Sequence, residues 1–209
     1  MLEQFDAQRV VAFHDAHLAQ PMPAQRVHGP DDRLWHAIEA NHLCNTLLWN
    51  EEDKARRRDV PASEIARCKR LIDGYNQRRS DAVETIDEAL LAALADLGPP
   101  PAQARLSSET AGMMIDRLSI LALKIHHMAL QAARRDADAD HRARCQAKLG
   151  VLRAQRADLA GCLAQLLREV VQGTACFKVY RQYKMYNDPT LNPWLYRRGG
   201  VPAHQAWSS

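Results

Sequence analysis

No apolar run in this chain approaches the roughly 20 residues needed to span a bilayer, so no membrane-spanning helix is expected. The first 20 residues also lack a bare apolar core, because Glu3, Asp6, Arg9, His14, Asp15 and His17 occupy the place where a secretory leader needs one. Five cysteines (Cys44, Cys68, Cys145, Cys162 and Cys176) form no Cys-x-x-Cys pair, and their odd number and wide spacing suit reduced thiols in a cytoplasm. A net charge of +3, with basic residues interleaved among acidic ones, argues against a nucleic-acid partner. Gly-rich phosphate loops, Gly-x-Ser-x-Gly elbows, Cys-His arrangements and His-Glu-x-x-His are all missing. Period-two alternation is missing too, which excludes a half-buried sheet. What remains is a chain of 209 residues, 46% hydrophobic and 25% charged, in the range of an ordinary soluble protein with one sizeable core.

The periodicity is helical throughout. Residues 2–19 have helical character and end at PMPAQRVHGP, whose prolines and glycine break the chain. Asp31 or Asp32 is expected to cap a second helix carrying Leu34, Trp35, Ile38, Leu43, Leu47 and Leu48, closed by the charged run EEDKARRRD. Pro61 and Ser63 open a long helix with Ile65, Cys68, Ile72, Tyr75, Ala82, Ile86, Leu90, Ala93 and Leu97 in three-four spacing, stopped by GPPP at 98–101. Ser107 or Ser108 is expected to cap a central helix up to residue 133. Cys145, Leu149, Leu152, Leu159, Leu163, Leu166 and Val170 then stripe a last long helix that Gly173 ends. The fold class expected is all-α, an antiparallel bundle of four to five long helices over residues 1–173. An aromatic, turn-rich C-terminal extension follows over 174–209. That extension either covers an apolar groove or offers its tyrosines as a stacking surface.

The central segment SSETAGMMIDRLSILALKIHHMALQAA is apolar almost all the way round, yet it contains Asp116, Arg117, Ser119, Lys124, His126 and His127. A helix of that kind belongs inside a bundle, where ionised groups must be paired and hydrogen-bonded. On the 61–97 helix, Lys69, Asp73, Asn76 and Ser80 form a polar ridge, and Arg79 interrupts the apolar stripe. Arg156 interrupts the stripe of the last helix in the same way. Arg79 and Arg156 are therefore expected to face Asp116 in an internal ion-pair network. The functional alternative is an anion-binding pocket in which Arg79, Arg117, Lys124 and Lys69 converge, with Asp73 or Asp116 as base and Lys124 able to do proton chemistry. Asp81, Glu84 and Glu88 form a separate acidic ridge, expected to be solvated and laced with salt bridges.

Other constellations are weaker. His14 and His17 share a helix face, whereas His36, Glu39 and His42 precess around theirs, and the adjacent His126 and His127 point apart. Asp81, Glu84 and Asp87 offer one acidic pair of the kind that all-α nucleotide pyrophosphohydrolases use for magnesium, but no second pair matches it. No metal site and no cofactor are expected. The start of the central helix, near 108–112, exposes amide groups that suit an anion. Ala143, Ala147, Ala154 and Ala160 lie off the main stripe of the last helix and would allow a homodimer face.

Four ordered motifs, LWNEED-x-ARR, KRLIDGYNQRRSD, SSETAG-x-x-IDRLSILALKI and YKMYNDPTLNPWLY, together resemble the bacterial DUF4254 family, marked by an NSETPG motif, over roughly residues 40–196. The resemblance implies an all-helical protein often encoded beside glycosyltransferases of lipopolysaccharide and other surface-polysaccharide clusters. It places the family's motif positions on Trp49, Glu52, Asp53, Arg56, Lys69, Asp73, Asn76, Arg79, Asp81, Glu109, Thr110, Gly112, Asp116, Arg117, Ser119, Lys124, Tyr183, Lys184, Asn187, Asp188 and Asn192. Ser107 and Ala111 stand where NSETPG has Asn and Pro, and Ser80 replaces an Asn; a ligand contact made by those amides would be weakened.

Residues and resemblance together set three expectations. The leading one is a protein of surface-glycan biosynthesis that binds a phosphorylated sugar or nucleotide-sugar. Asp73, Asp116 and Lys124 would be its chemical groups, with Lys69, Asn76, Arg79, Glu109, Arg117, Ser119, Tyr183, Lys184 and Asn187 holding the ligand. The second is a non-enzymatic partner that docks a glycosyltransferase through its aromatic extension. The third is a magnesium-dependent nucleotide hydrolase.

Overall fold

The computed structural model describes residues 5–19, 33–185 and 188–196. Helix dominates them: α1 (Ala7–Leu18), α2 (Arg33–Ala55), α3 (Ala62–Ala93), α4 (Ala111–Ala132), α5 (Ala139–Val171) and the single turn α6 (Pro193–Tyr196). The all-α class is thus what forms. Among the described residues no helix is long and apolar enough to cross a membrane.

Local chemistry sets the helix ends. Asp6 and Asp138 cap α1 and α5 by accepting from the backbone N–H of Arg9 at 2.8 Å and of His141 at 2.6 Å. The cap expected for α2 at Asp31 or Asp32 lies outside the described residues. For α4 the expected serine caps are corrected. Thr110 takes that place, accepting from Met113 N–H at 3.2 Å. Ser107 has a different task, because its N–H donates to the Cys176 carbonyl at 2.8 Å and its hydroxyl to the Glu109 carbonyl at 2.8 Å. The first of these bonds extends a two-residue parallel bridge, β1 (Arg105–Leu106) against β2 (Ala175–Cys176). Two residues are too few for alternation to show in a sequence. The bridge ties the approach to α4 to the chain leaving α5, just beyond Gly173 (φ +72°). Leu97 leaves the stripe expected of it and is exposed, because α3 ends at Ala93 and a tighter 3-10 turn over Ala95–Leu97 rotates it outward.

One apolar core joins five helices. Val10 of α1, Ile38 of α2, Ile86 and Leu90 of α3, Ile115 and Leu118 of α4 and Leu163 of α5 are completely buried within it. Each large aliphatic side chain so placed contributes about 1.5–3 kcal/mol over leaving it in water. Phe177 and Ala175, from the start of the extension, belong to the same core. Beyond them the tail is held by polar contacts, and Tyr183 and Trp194 stand 86% and 76% exposed. Ala160 is buried, so of the four alanines considered for a second packing face only Ala143, Ala147 and Ala154 lie on the exposed side of α5.

Candidate functional site

The polar centre of the molecule starts on α2. Residues 34, 38, 41, 42, 45 and 48 recur at three-four spacing on its buried side, and three of them are Asn41, His42 and Asn45 rather than aliphatics. All three are less than 5% exposed. Opposite them α4 presents Asp116 and the fully buried Ser119, one turn apart. The Asn41 and Asn45 side-chain amides both donate to Asp116 Oδ1, at 2.8 and 2.9 Å. Asn45 also donates to Ser119 Oγ at 3.0 Å. Ser119 Oγ lies 2.7 Å from His42 Nδ1. That oxygen also accepts from Asn45, so one hydroxyl links the Asn45 amide to the His42 imidazole.

The chain of bonds continues outward to α3. Arg79 is one-third exposed, and its Nε approaches Asp116 Oδ1 to 4.0 Å, an electrostatic contact longer than a hydrogen bond. Beside it comes Lys184 from the extension, whose Nζ donates to the Asn76 carbonyl at 2.5 Å. Burial, then the nearby Arg79 guanidinium, holds the Lys184 ammonium below its ordinary range, against the pull of Asp81 and Asp73. Two cations from separate segments are thus gathered at the edge of a carboxylate-centred network. Arg181 anchors this stretch of tail, donating to Glu84 at 2.7 Å and Glu88 at 2.6 Å, while Gln182 N–H donates to Glu84 at 2.7 Å. The acidic ridge therefore serves the chain's own tail. Lys69 and Asp73 pair along the α3 surface at 2.6 Å. Tyr183 projects into solvent next to Lys184, and Asn187 lies outside the described residues.

Three expectations are corrected. Arg117 and Lys124 do not point inward. They sit seven residues apart, hence on one edge of α4, and that edge is exposed; the buried face of α4 runs through 111, 114, 115, 118, 119, 122, 123 and 125. Arg117 pairs there with Glu109. With Lys124 they line a groove of about 670 Å³ between α4 and α5 that includes Gln155, Asp158 and Leu159. Arg156 does not meet Asp116 either; it donates to Asp15 of α1 at 2.6 Å. Finally, the amides at the start of α4 do not await an external anion. The Asp87 carboxylate of α3 fills that place and accepts from Gly112 N–H at 2.7 Å. Burial raises the Asp87 carboxyl to about 6, although bonds from Thr110 and Gly112 pull the other way.

The sequence-predicted residues therefore divide between two surfaces. Arg79, Asn76, Asp116, Ser119 and Lys184 come together, with Lys69 and Asp73 along the same helix. Glu109, Arg117 and Lys124 occupy the α4–α5 groove. A roomier recess of about 850 Å³, between α2 and α3, is lined by Arg33, His36, Leu43, Arg78 and Thr85 and holds none of them. Sequence reasoning missed Asn41 and Asn45, and met His42 and Asp87 only as metal candidates. Their signal was available: polar residues at 41, 42 and 45 fall on the same helix face as Leu34, Ile38 and Leu48. The described residues include no group of three or more His, Cys, Asp or Glu side chains placed to hold a metal ion.

No curated protein and no solved structure matches the chain. Residues 35–179 match the family described as "Protein of unknown function (DUF4254)", a stretch that takes in α2 to α5, the Asp116 network and the paired bridge. With well over half of its length matched, and with the site's interior inside the match, the chain belongs to the DUF4254 family.

Proposed function

We propose that this protein binds a small phosphorylated sugar or nucleotide-sugar at the Arg79–Lys184 edge of the Asp116 network, in the cytoplasmic assembly of surface glycans. The observation that carries the reading is the Arg79–Lys184 juxtaposition, because two cations held together beside a network already satisfied by neutral amides suit an anionic ligand. The guanidinium would meet the phosphate as a planar fork and the ammonium as a point charge. Asp116, held by Asn41 and Asn45, would orient a hydroxyl of the ligand or accept its proton. Lys124 would not act on the same group, since eight residues separate it from Asp116, about 12 Å along the helix axis. It belongs with Glu109 and Arg117 to the α4–α5 groove.

The framework read for this site is a pair of antiparallel hairpins with α1 laid against them. Arg33 meets Glu88 while Glu51 meets Cys68, which supports α2 running against α3. Met114 and Cys162 line one groove between α4 and α5, and Met128 and Leu152 another, which supports an antiparallel run of those two helices as well. Residues 1–173 would then form one domain and the extension its attached strap.

Thermal-shift titration with glucose 1-phosphate and UDP-glucose, each with and without magnesium, tests the proposal. Saturation at 100 times Kd adds about 2.7 kcal/mol, which for a chain of this size raises Tm by roughly 5–10 °C. Arg79→Met and Lys184→Met should each abolish the shift. No shift with either probe, or a full shift in both variants, overturns the reading; a shift that requires magnesium transfers support to the hydrolase. The docking alternative rests on the exposed Tyr183, Met185, Trp194, Leu195 and Tyr196. Co-purification with a glycosyltransferase, lost on replacing Tyr183 and Trp194 by Ala and accompanied by no small-molecule shift, would favour it.

A further inference from the structure

Helix α1 lies before residue 35 and so outside the family match, yet it covers part of the network that the match contains. Phe5 and Phe13 pack on the Trp35 ring with centroids 5.7 and 5.3 Å away, and Ala7 and Val10 enter the core. Between these apolar contacts α1 inserts His14, which is 1% exposed. The His14 imidazole stacks on His42 at 4.7 Å with 24° between the planes. Neither nitrogen of His14, nor Nε2 of His42, has a hydrogen-bond partner among the described residues. The neutral His14 ring therefore buries its N–H without an acceptor, and His42 buries Nε2 without a partner, costs that apolar packing around the stack must offset.

The groups facing this pair come from four helices. Besides His14, α1 brings His17, whose Nε2 is 3.4 Å from Glu39 of α2, and Asp15, which binds Arg156 of α5 at 2.6 Å. From α2 comes His42 itself, and α4 presents the Ser119 hydroxyl. The Glu39 carboxylate is engaged with His17 and the Asp15 carboxylate with Arg156. A proton added to the stack thus meets its neighbouring imidazole and Arg156 rather than a spare acid.

We infer that α1 is an acid-released cover: it docks over His42 and Ser119 while His14 and His42 are neutral, and it lifts when they take up protons. Burial, then His42, His17 and Arg156, keep His14 well below 6.5, and burial and His17 lower His42 to about 4. A histidine whose bound-state value is depressed contributes stability that is present above its free value and is lost as pH falls through it. Each imidazole freed to titrate near 6.5 weakens docking about tenfold between pH 7.5 and 5.5, so the pair weakens it about 100-fold. Release would uncover the His42–Ser119 end of the network, whether or not a sugar phosphate binds at its Arg79 end.

Hydrogen exchange on the full chain, corrected for the intrinsic pH dependence of exchange, tests this. Protection of the amides of 10–18 should fall about 100-fold from pH 7.5 to 5.5, while that of 114–125 in α4 changes by less than about threefold. His14→Leu should keep α1 protected at both pH values. The imidazole signals of His14 and His42 in the wild type, followed by NMR, need no variant to fold and should show proton uptake only as α1 protection is lost. Equal protection at both pH values, parallel loss in α4, or imidazoles that titrate with α1 still docked would each overturn the inference.

Discussion

At Gly112 α4 packs tightly against α3, and Gly112→Ala tests how that contact is built. A Cβ added there would lie 2.6 Å from the Val83 carbonyl oxygen and 2.9 Å from Asp87 Oδ1. Both distances are far inside ordinary van der Waals contact, and neither obstacle is the far end of a flexible chain: one is helix backbone, the other a buried carboxylate. The two helices must separate by several tenths of an ångström. That movement stretches the 2.7 Å bond from Gly112 N–H to Asp87, which is also what satisfies one free amide at the start of α4. Forcing a methyl into a packed contact costs about 1–3 kcal/mol. Weakening a hydrogen bond to a buried charged group adds about 1.5–3 kcal/mol. The expected loss is therefore about 3–5 kcal/mol, measured as the drop in the urea midpoint at unchanged slope. A control separates this from helix propensity. Gly150 and Gly161 lie within α5 with nothing within 4 Å of an added Cβ, so alanine there should stabilise by about 0.5–1 kcal/mol. If Gly112→Ala costs less than about 1 kcal/mol, the helices are not locked at this point and Asp87 is not their clasp.

Two further outcomes follow from the same geometry. Asp87 stands at about 6 when folded against 3.8 when free, so the native state binds the proton more tightly and stability falls as pH rises between those values. Relative to Asp87→Asn, the wild type should lose about 2 kcal/mol between roughly pH 4.5 and 7.5 in urea titrations, and a difference that does not change with pH contradicts the buried-carboxylate account. Arg79→Lys keeps the charge beside Asp116 but removes the planar fork. Stability should stay within about 0.5 kcal/mol because the pair is long and partly exposed. UDP-glucose affinity should nevertheless fall at least about tenfold, and unaltered affinity would remove the fork from the proposed contact.

The helical framework was legible because long apolar stripes announce helices whatever their partners. Leu149, Leu159, Leu163 and Leu166 on α5, and Cys68, Ile72, Ile86 and Leu90 on α3, are buried where spacing put them. The direction of α4's polar side chains was not legible. Its sequence is apolar enough to suggest burial all round, yet the described neighbours leave the edge through 117 and 124 uncovered, and which edge stays open depends on packing angles that periodicity does not encode. Arg156 shows the same limit. It interrupts a stripe as an inward residue should, but its partner, Asp15, is 141 residues away in sequence. The role of Asp87 was hidden for a different reason: three residues after Glu84 it reads as one half of an acidic pair, and only the glycine opposite makes room for it. Asn41 and Asn45 could have been found by asking why amides occupy the face that Ile38 and Leu48 bury.

Those two amides bear on how the Asp116 network is to be understood. An arginine in their place would neutralise the carboxylate as well as hold it, at 2.7–2.9 Å in a typical charge-assisted pair. Asn41 and Asn45 hold it without cancelling its charge, and both converge on a single oxygen, Oδ1. Arg79 stays 4.0 Å away instead of closing into a bidentate bridge. A network selected for helix register alone gains most by shortening that contact, since a half-made pair in a partly dry site desolvates the charge without the full return of attraction. Leaving the guanidinium at the edge, with Lys184 brought alongside by a tail that Glu84 and Glu88 anchor, sets positive charge toward solvent and negative charge behind it. That polarity, positive at the surface and negative behind it, is what supports the proposed binding of a phosphorylated ligand there.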